Sequence, residues 1–214
     1  MRLSKNFTLN ELIKSNTALR LGIDNRPSKE GILKLTLLAT ELLQPLRNEV
    51  GSIRITSGYR SPQLSEAISG SGSNSQHCRY EAVDLQYFKR GKMDNLKIYN
   101  ALIDLDLDYD QCILEFGDST EANDPDYPAW IHLSWKVVDN RKQTLVAYKD
   151  DNNKTKYRPL IKYNSIATVL LVFIDSGVIN FNVEERWISL IELCNITCIG
   201  AYFGSRGFEK IKKK

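Results

Sequence analysis

A chain of 214 residues has room for one domain with an appendage, or for two small ones, and can bury a core without a disulfide scaffold. Its 29 basic and 26 acidic side chains give a net charge of +3, too even a balance for a general nucleic-acid binder. A hydrophobic content of 42% against 26% charged excludes disorder over most of the length. The positive excess is local: residues 1–155 carry 20 basic and 21 acidic side chains, and residues 156–214 carry 9 and 5. Cys78, Cys112, Cys194 and Cys198 match no zinc-finger spacing and read as reduced thiols. The first 15 residues lack the apolar core of a signal peptide, so synthesis in the cytoplasm without a secretion signal is expected.

Thr8, followed three residues later by Glu11, is a capping-box pattern and starts a short helix. Ser28 caps a longer one, whose apolar face is Leu33, Leu35, Leu37, Leu38, Leu42, Leu43 and Leu46; Pro45 should kink or close it. Ile53–Thr56 alternates as a strand, Ser57–Pro62 is a turn, and a short helix covers Gln63–Ile68. A Gly/Ser loop over 70–75 leads into His77. Glu81–Tyr87 reads as a strand, Asn95–Leu105 as a helix and Cys112–Phe116 as a buried strand. Trp130–Val138 reads as a strand with Ile131, Leu133 and Trp135 on one face and His132 and Ser134 on the other. Residues 118–128 form an acidic loop, 141–158 are poor in apolar residues, and Asp150–Lys154 looks like a linker.

The chain has two histidines, and neither sits in an apolar helix face. His77 leaves the Gly/Ser loop with Asp84 seven residues on, and His132 lies mid-strand. Two imidazoles and one carboxylate form a three-ligand zinc set that leaves a fourth position open. Two ordinary polar side chains are the alternative that spacing alone permits.

Ser75-Gln76-His77-Cys78-Arg79-Tyr80-Glu81-Ala82-Val83-Asp84 resembles the S-x-H-x-x-G-x-A-x-D motif of zinc peptidoglycan peptidases. These are the D-alanyl-D-alanine carboxypeptidases and dipeptidases and the phage L-alanyl-D-glutamate endopeptidases; the Hedgehog signalling domain shares their fold. Ile55-Thr56-Ser57-Gly58-Tyr59-Arg60-Ser61 resembles the family's I-T-S-G-Y-R-S segment, and Trp130-Ile131-His132-Leu133-Ser134 its last-ligand segment. Residues 6–12 and 21–25 resemble the start of phage-type members, so the likeness runs from about residue 5 to 148. It implies an α+β fold, a small antiparallel sheet with helices on one side, and one zinc ion held by His77, Asp84 and His132. With the chemistry of the residues it assigns Glu115 as general base, with Glu121, Asp124 and Asp126 as rivals. Arg60 is expected to stabilise the oxyanion or grip a substrate carboxylate. Ser75, Tyr59 and Trp130 are expected to contact substrate. Tyr80 stands where the family has Gly, and is expected to strain the loop or fill space beside the metal.

Residues 1–155 are thus expected to be the peptidase domain and 156–214 a helical tail. Residues 166–174 and 187–203 are apolar but short of a clean bilayer span, and basic residues bracket the pair. A membrane hairpin and a soluble helical appendage both fit. The function expected from the resemblance is hydrolysis of a peptide bond in peptidoglycan stem peptides or cross-links, for phage lysis or wall remodelling. A zinc-bearing binding domain without strong catalysis and a membrane-tethered lysis factor are the alternatives. Peptidoglycan peptide is the expected partner, with no nucleic acid; the bond cut and the oligomeric state are open.

Overall fold

The first helix begins where the capping box places it. In a computed structural model that describes residues 1–69, 72–117 and 127–160, the Glu11 carboxylate accepts from the Thr8 N–H at 2.8 Å and the Glu11 N–H donates to the Thr8 hydroxyl, opening α1 (Leu9–Ile13). The expectations for the acidic loop, the two tail segments and the rivals Glu121, Asp124 and Asp126 lie outside the described residues. The chain divides into a unit at Met1–Leu160 and another at Ile161–Lys214. Among the described residues, no helix is long and apolar enough to cross a membrane.

α2 (Asn16–Leu21) has no apolar period to announce it; its signals are the Ser15 cap and Gly22 in the left-handed conformation that ends it. α3 (Lys29–Leu37) starts at the Ser28 cap, as expected. Pro45 does not close this helix. The chain widens into a π-helical stretch over Leu38–Leu43 and continues as α4 (Gln44–Val50), with Pro45 in its first turn. Proline is tolerated there because it has no N–H to leave unpaired and its ring needs the room a widened turn supplies. The buried stripe is narrower than expected: Leu35, Leu38, Leu42, Leu43 and Leu46 are fully buried, whereas Leu33 and Leu37 are exposed.

α5 (Pro62–Ser69) and α6 (Leu96–Asp104) fall where they are expected. Among the described residues, seven strands form one sheet: β1 (Ile53–Ser57), β2 (Ala82–Lys89), β3 (Lys92–Met93), β4 (Gln111–Glu115), β5 (Trp130–Ser134), β6 (Gln143–Lys149) and β7 (Thr155–Pro159). Their order is β1-β2-β5-β4-β6-β7, with β3 paired to β2. The fold is α+β. All pairings are antiparallel but one, since β6 runs parallel to β4.

Three local readings change. β5 stops at Ser134 rather than Val138, because Ser134 is its last residue paired to both neighbours, through Ala82 and Gln111. The polar stretch 141–158 is two strands. Asp150–Lys154 is the turn between them rather than a linker; the Asp150 carboxylate accepts from the Asn152 and Lys154 N–H groups, and Asn153 takes a left-handed φ of 59°. Strands at a solvated edge carry Lys, Arg and Tyr outward, so β7 shows no apolar alternation to read.

Alternation along the central strands separates core from site. Val83 and Leu85 of β2, Ile131 and Leu133 of β5, and Cys112 and Leu114 of β4 join the core with the leucine stripe and with Ile98 and Leu102 of α6. Asp84, His132 and Glu115 occupy the intervening positions and line a cleft of about 800 Å³ over the opposite face.

Candidate metal centre

Sheet register brings the centre together. Asp84 of β2 lies directly opposite His132 of β5, and His132 directly opposite Ile113 of β4. Glu115, two residues beyond Ile113, therefore shares the face of His132. His77 arrives from a loop. Its Nδ1 lies 2.7 Å from the Gly58 carbonyl, which only accepts, so Nδ1 carries a proton and, in the neutral ring, Nε2 is the nitrogen left to ligate. That Nε2 faces Asp84 Oδ1 at 3.4 Å, and His132 Nδ1 faces the same oxygen at 3.0 Å. One ligand atom from each of His77, Asp84 and His132 lies within 4.8 Å of the other two, and all three residues are buried.

These residues fit a zinc ion. Two imidazole nitrogens and a carboxylate oxygen are its ordinary donors. The Gly58 carbonyl behind His77 is the kind of partner that fixes a ligand's ring. Burial of the His77 ring lowers its pKa, towards the neutral form that ligates, and the Asp84 carboxylate opposes it. Burial also works against charge on Asp84, but His77 and His132 outweigh it and hold its carboxyl below the usual carboxylate range.

Packing explains the loop positions. The turn after β1 is pressed onto α1: the Tyr59 N–H donates to the Leu12 carbonyl at 2.7 Å, and a Cβ on Gly58 would run into the Leu12 backbone. Asn25, in the segment 21–25, ties the turn down. Its Nδ2 donates to the carbonyls of Ile13 (2.7 Å) and Tyr59 (3.0 Å), and its Oδ1 accepts from the Ser61 N–H at 2.7 Å. Arg60 then points at the centre, with Nη2 on Asp84 Oδ2 at 2.7 Å and Nε on the Ser57 hydroxyl at 2.8 Å.

The structure brings most of the expected residues to one place. Arg60, Ser75, Glu115 and Trp130 line the cleft with the three ligands. Burial pushes the Glu115 carboxyl up to about 7, and the nearby His132 opposes it. Tyr59 is not brought to the cleft: it is buried and stacked on Tyr80, with centroids 4.3 Å apart. Residues that sequence reading passes over also appear here. Gln76 lies beside His132, and Gln143, Thr155 and Tyr157 form the far wall. Gln76 sits inside the quoted motif; the other three lie on strands with no sequence signal.

Tyr80 does strain the loop, with a φ of 66°, but its ring fills space away from the ligands. It lies between Tyr59 and Gly31 of α3 and takes the Ser28 N–H on its hydroxyl at 3.4 Å. A Cβ on Gly31 would strike this ring. Gly31→Ala should therefore destabilise by roughly 1–3 kcal/mol through overpacking, despite alanine's better helix propensity. In a Tyr80→Gly background the same change should be neutral or stabilising. Urea denaturation of the four proteins checks this, and an equal loss in both backgrounds would refute the coupling.

Residues 5–103 match the family model described as Peptidase M15, whose members are zinc-dependent; this supports the zinc peptidase family for that stretch. No curated protein matches the chain. The matched stretch holds Arg60, Ser75, His77 and Asp84 and ends before Glu115 and His132.

Proposed function

We propose that the protein is a zinc-dependent peptidase that hydrolyses a peptide bond in peptidoglycan stem peptides or cross-links. The observation that carries this reading is the position of His132. It lies beyond the stretch that matches the family, yet β5 sets it against Asp84 to complete a buried His-Asp-His donor set.

A zinc ion held by these residues supplies Lewis acidity that polarises a water molecule and the scissile carbonyl. The remaining work falls to the chain. Glu115, a buried carboxylate on the cleft wall, takes a proton from the attacking water at Oε and returns it to the leaving amine. A carboxylate pushed up to about 7 suits both transfers near neutral pH. Arg60 holds Asp84 in place through Nη2 and presents its guanidinium at the cleft, where it stabilises negative charge on the substrate. Ser75 and Trp130 line the substrate's path, and Gln143 and Tyr157 extend it across β6 and β7. A lysis role and a membrane association through 166–203 belong to this proposal on the strength of sequence alone.

The test is digestion of purified peptidoglycan by the full chain, with released fragments read by mass spectrometry. Fragments differing by one hydrolysed peptide bond, abolished by chelation and restored by zinc, are expected. Intact peptidoglycan in the presence of a zinc-loaded protein would favour the binding-domain reading instead.

A further inference from the structure

The two edges of the sheet are built differently. β7 ends one side with Lys156, Arg158 and Pro159, residue types that keep an open edge from pairing. β1 ends the other with Ile-Arg-Ile-Thr-Ser, good strand formers with one charge and no proline. That one cation, Arg54, lies over the Phe88 ring, 4.9 Å from its centroid.

Hydrogen bonding shows which way the β1 backbone points. The Tyr87 N–H donates to Asn95 Oδ1 at 3.0 Å and its carbonyl accepts from the Asp94 N–H at 2.9 Å, so both groups are turned away from β1. The opposed pair Ile53–Tyr87 is therefore a non-bonded one. Antiparallel pairs alternate, so Arg54–Gln86 is bonded and Ile55–Leu85 is not. Ile53 and Ile55 thus turn their N–H and C=O groups away from β2, and no backbone group among the described residues bonds to them there.

Every residue from Ile53 to Ser57 lines a groove of about 620 Å³, a volume typical of ligand clefts. A groove over one face would meet alternate residues; meeting consecutive ones places it along the edge. Lys14, Asn16, Thr17 and Ile68 wall it. Arg60 lines this groove and also the cleft over the metal centre, so the two meet at one side chain.

We propose that the open edge of β1 is a second substrate subsite, which takes an extended peptide arm leaving the cleft past Arg60 as an added strand on Ile53 and Ile55. Their donors and acceptors recur at the two-residue repeat of a strand, about 7 Å, and the ligand that matches such a row is another extended peptide backbone. This rests on the peptidase reading above and adds to it where the substrate runs beyond the cleft.

Amide hydrogen exchange reads the edge residue by residue. In the free full chain the Ile53 and Ile55 amides should exchange fast and the Arg54 amide slowly. Soluble cross-linked peptidoglycan fragments, added to zinc-loaded Glu115→Gln protein so that nothing is cut, should slow Ile53 and Ile55 by about tenfold or more and leave Arg54 unchanged. In cleavage of the same fragments, Ile55→Pro loses the outward N–H but no bond to β2, and should raise KM about tenfold with kcat within about twofold. Ile55→Ala keeps the N–H and should not. Asn16→Trp, an exposed change on the groove wall, should raise KM like Ile55→Pro and carries the test if the proline variant does not fold. Fragments that shift the Arg60 and Trp130 signals while Ile53 and Ile55 still exchange fast, or an Asn16→Trp protein with native KM, overturn the proposal. Protection already present in the free chain overturns it too, and assigns the edge to a second copy if it grows with protein concentration. Fragments that disturb neither groove nor cleft would overturn the peptidoglycan reading and this subsite with it.

Discussion

Replacing His77 or His132 with Ala should remove bound metal and peptidoglycan cleavage together. In the proposed centre each is one of the three donors that come together among the described residues, with ligand atoms within 4.8 Å of one another. Loss of a partner behind a ligand already costs about 10–100-fold in metal affinity, so loss of a ligand should exceed about 100-fold. Asp84→Asn is the gentler change at the third position. It keeps the shape but removes the charge that Arg60 pairs with at 2.7 Å and that both imidazoles face. Metal content after dialysis, measured beside activity, checks all three. Chelated native protein should regain activity on adding zinc and the variants should not. A variant that keeps one zinc per chain and cleaves normally would remove that residue from the centre.

Glu115→Gln should separate proton transfer from metal binding. The amide fills the same space at the end of β4 but accepts no proton, so kcat should fall by roughly 10² or more with zinc retained. Retained activity would move the role to Glu121, Asp124 or Asp126. A second signature follows in the metal-free protein. Burial raises the carboxyl from about 4.5 in the unfolded chain to about 7 in the folded one. A group raised on folding contributes its full stability below the unfolded value and loses it as pH rises through the folded one. Native protein should therefore lose up to about 3 kcal/mol relative to Glu115→Gln between pH 4.5 and pH 8, following the linkage of shift to stability. Urea midpoints across that range measure it, and parallel profiles would show that Glu115 is not raised.

Much of the site is legible in the sequence, for a chemical reason. Metal ligation admits few residue types, and His77, Asp84 and Ser75 lie within one ten-residue segment whose resemblance to the peptidase motif, more than its spacing, pointed to a metal. Capping is similarly local, which is why Thr8, Glu11 and Ser28 mark helix starts correctly. The tail beyond residue 160 and the loop around Glu121 lie outside what the structure describes. β7 is illegible because an exposed edge strand needs no apolar period, and β6, between β4 and β7, buries only Val146 and Ala147, too little to show as alternation.

What the sequence determined by itself was the inventory: an α+β chain, two histidines and a set of carboxylates in peptidase-like segments, with a leucine-rich helix to cover a sheet. What only the tertiary structure decided was which of these meet. His132 is 48 residues from Asp84, and the β2–β5 register makes them neighbours. Tyr59 reads as a cleft residue in the sequence, but stacking on Tyr80 over the space left by Gly31 draws it into the core. Gln76 and Asp110 are 34 residues apart and meet only because the His77 loop folds against the start of β4. A hydrogen bond between distant segments depends on three-dimensional distance and on which atom must donate, and neither is written in the order of the residues.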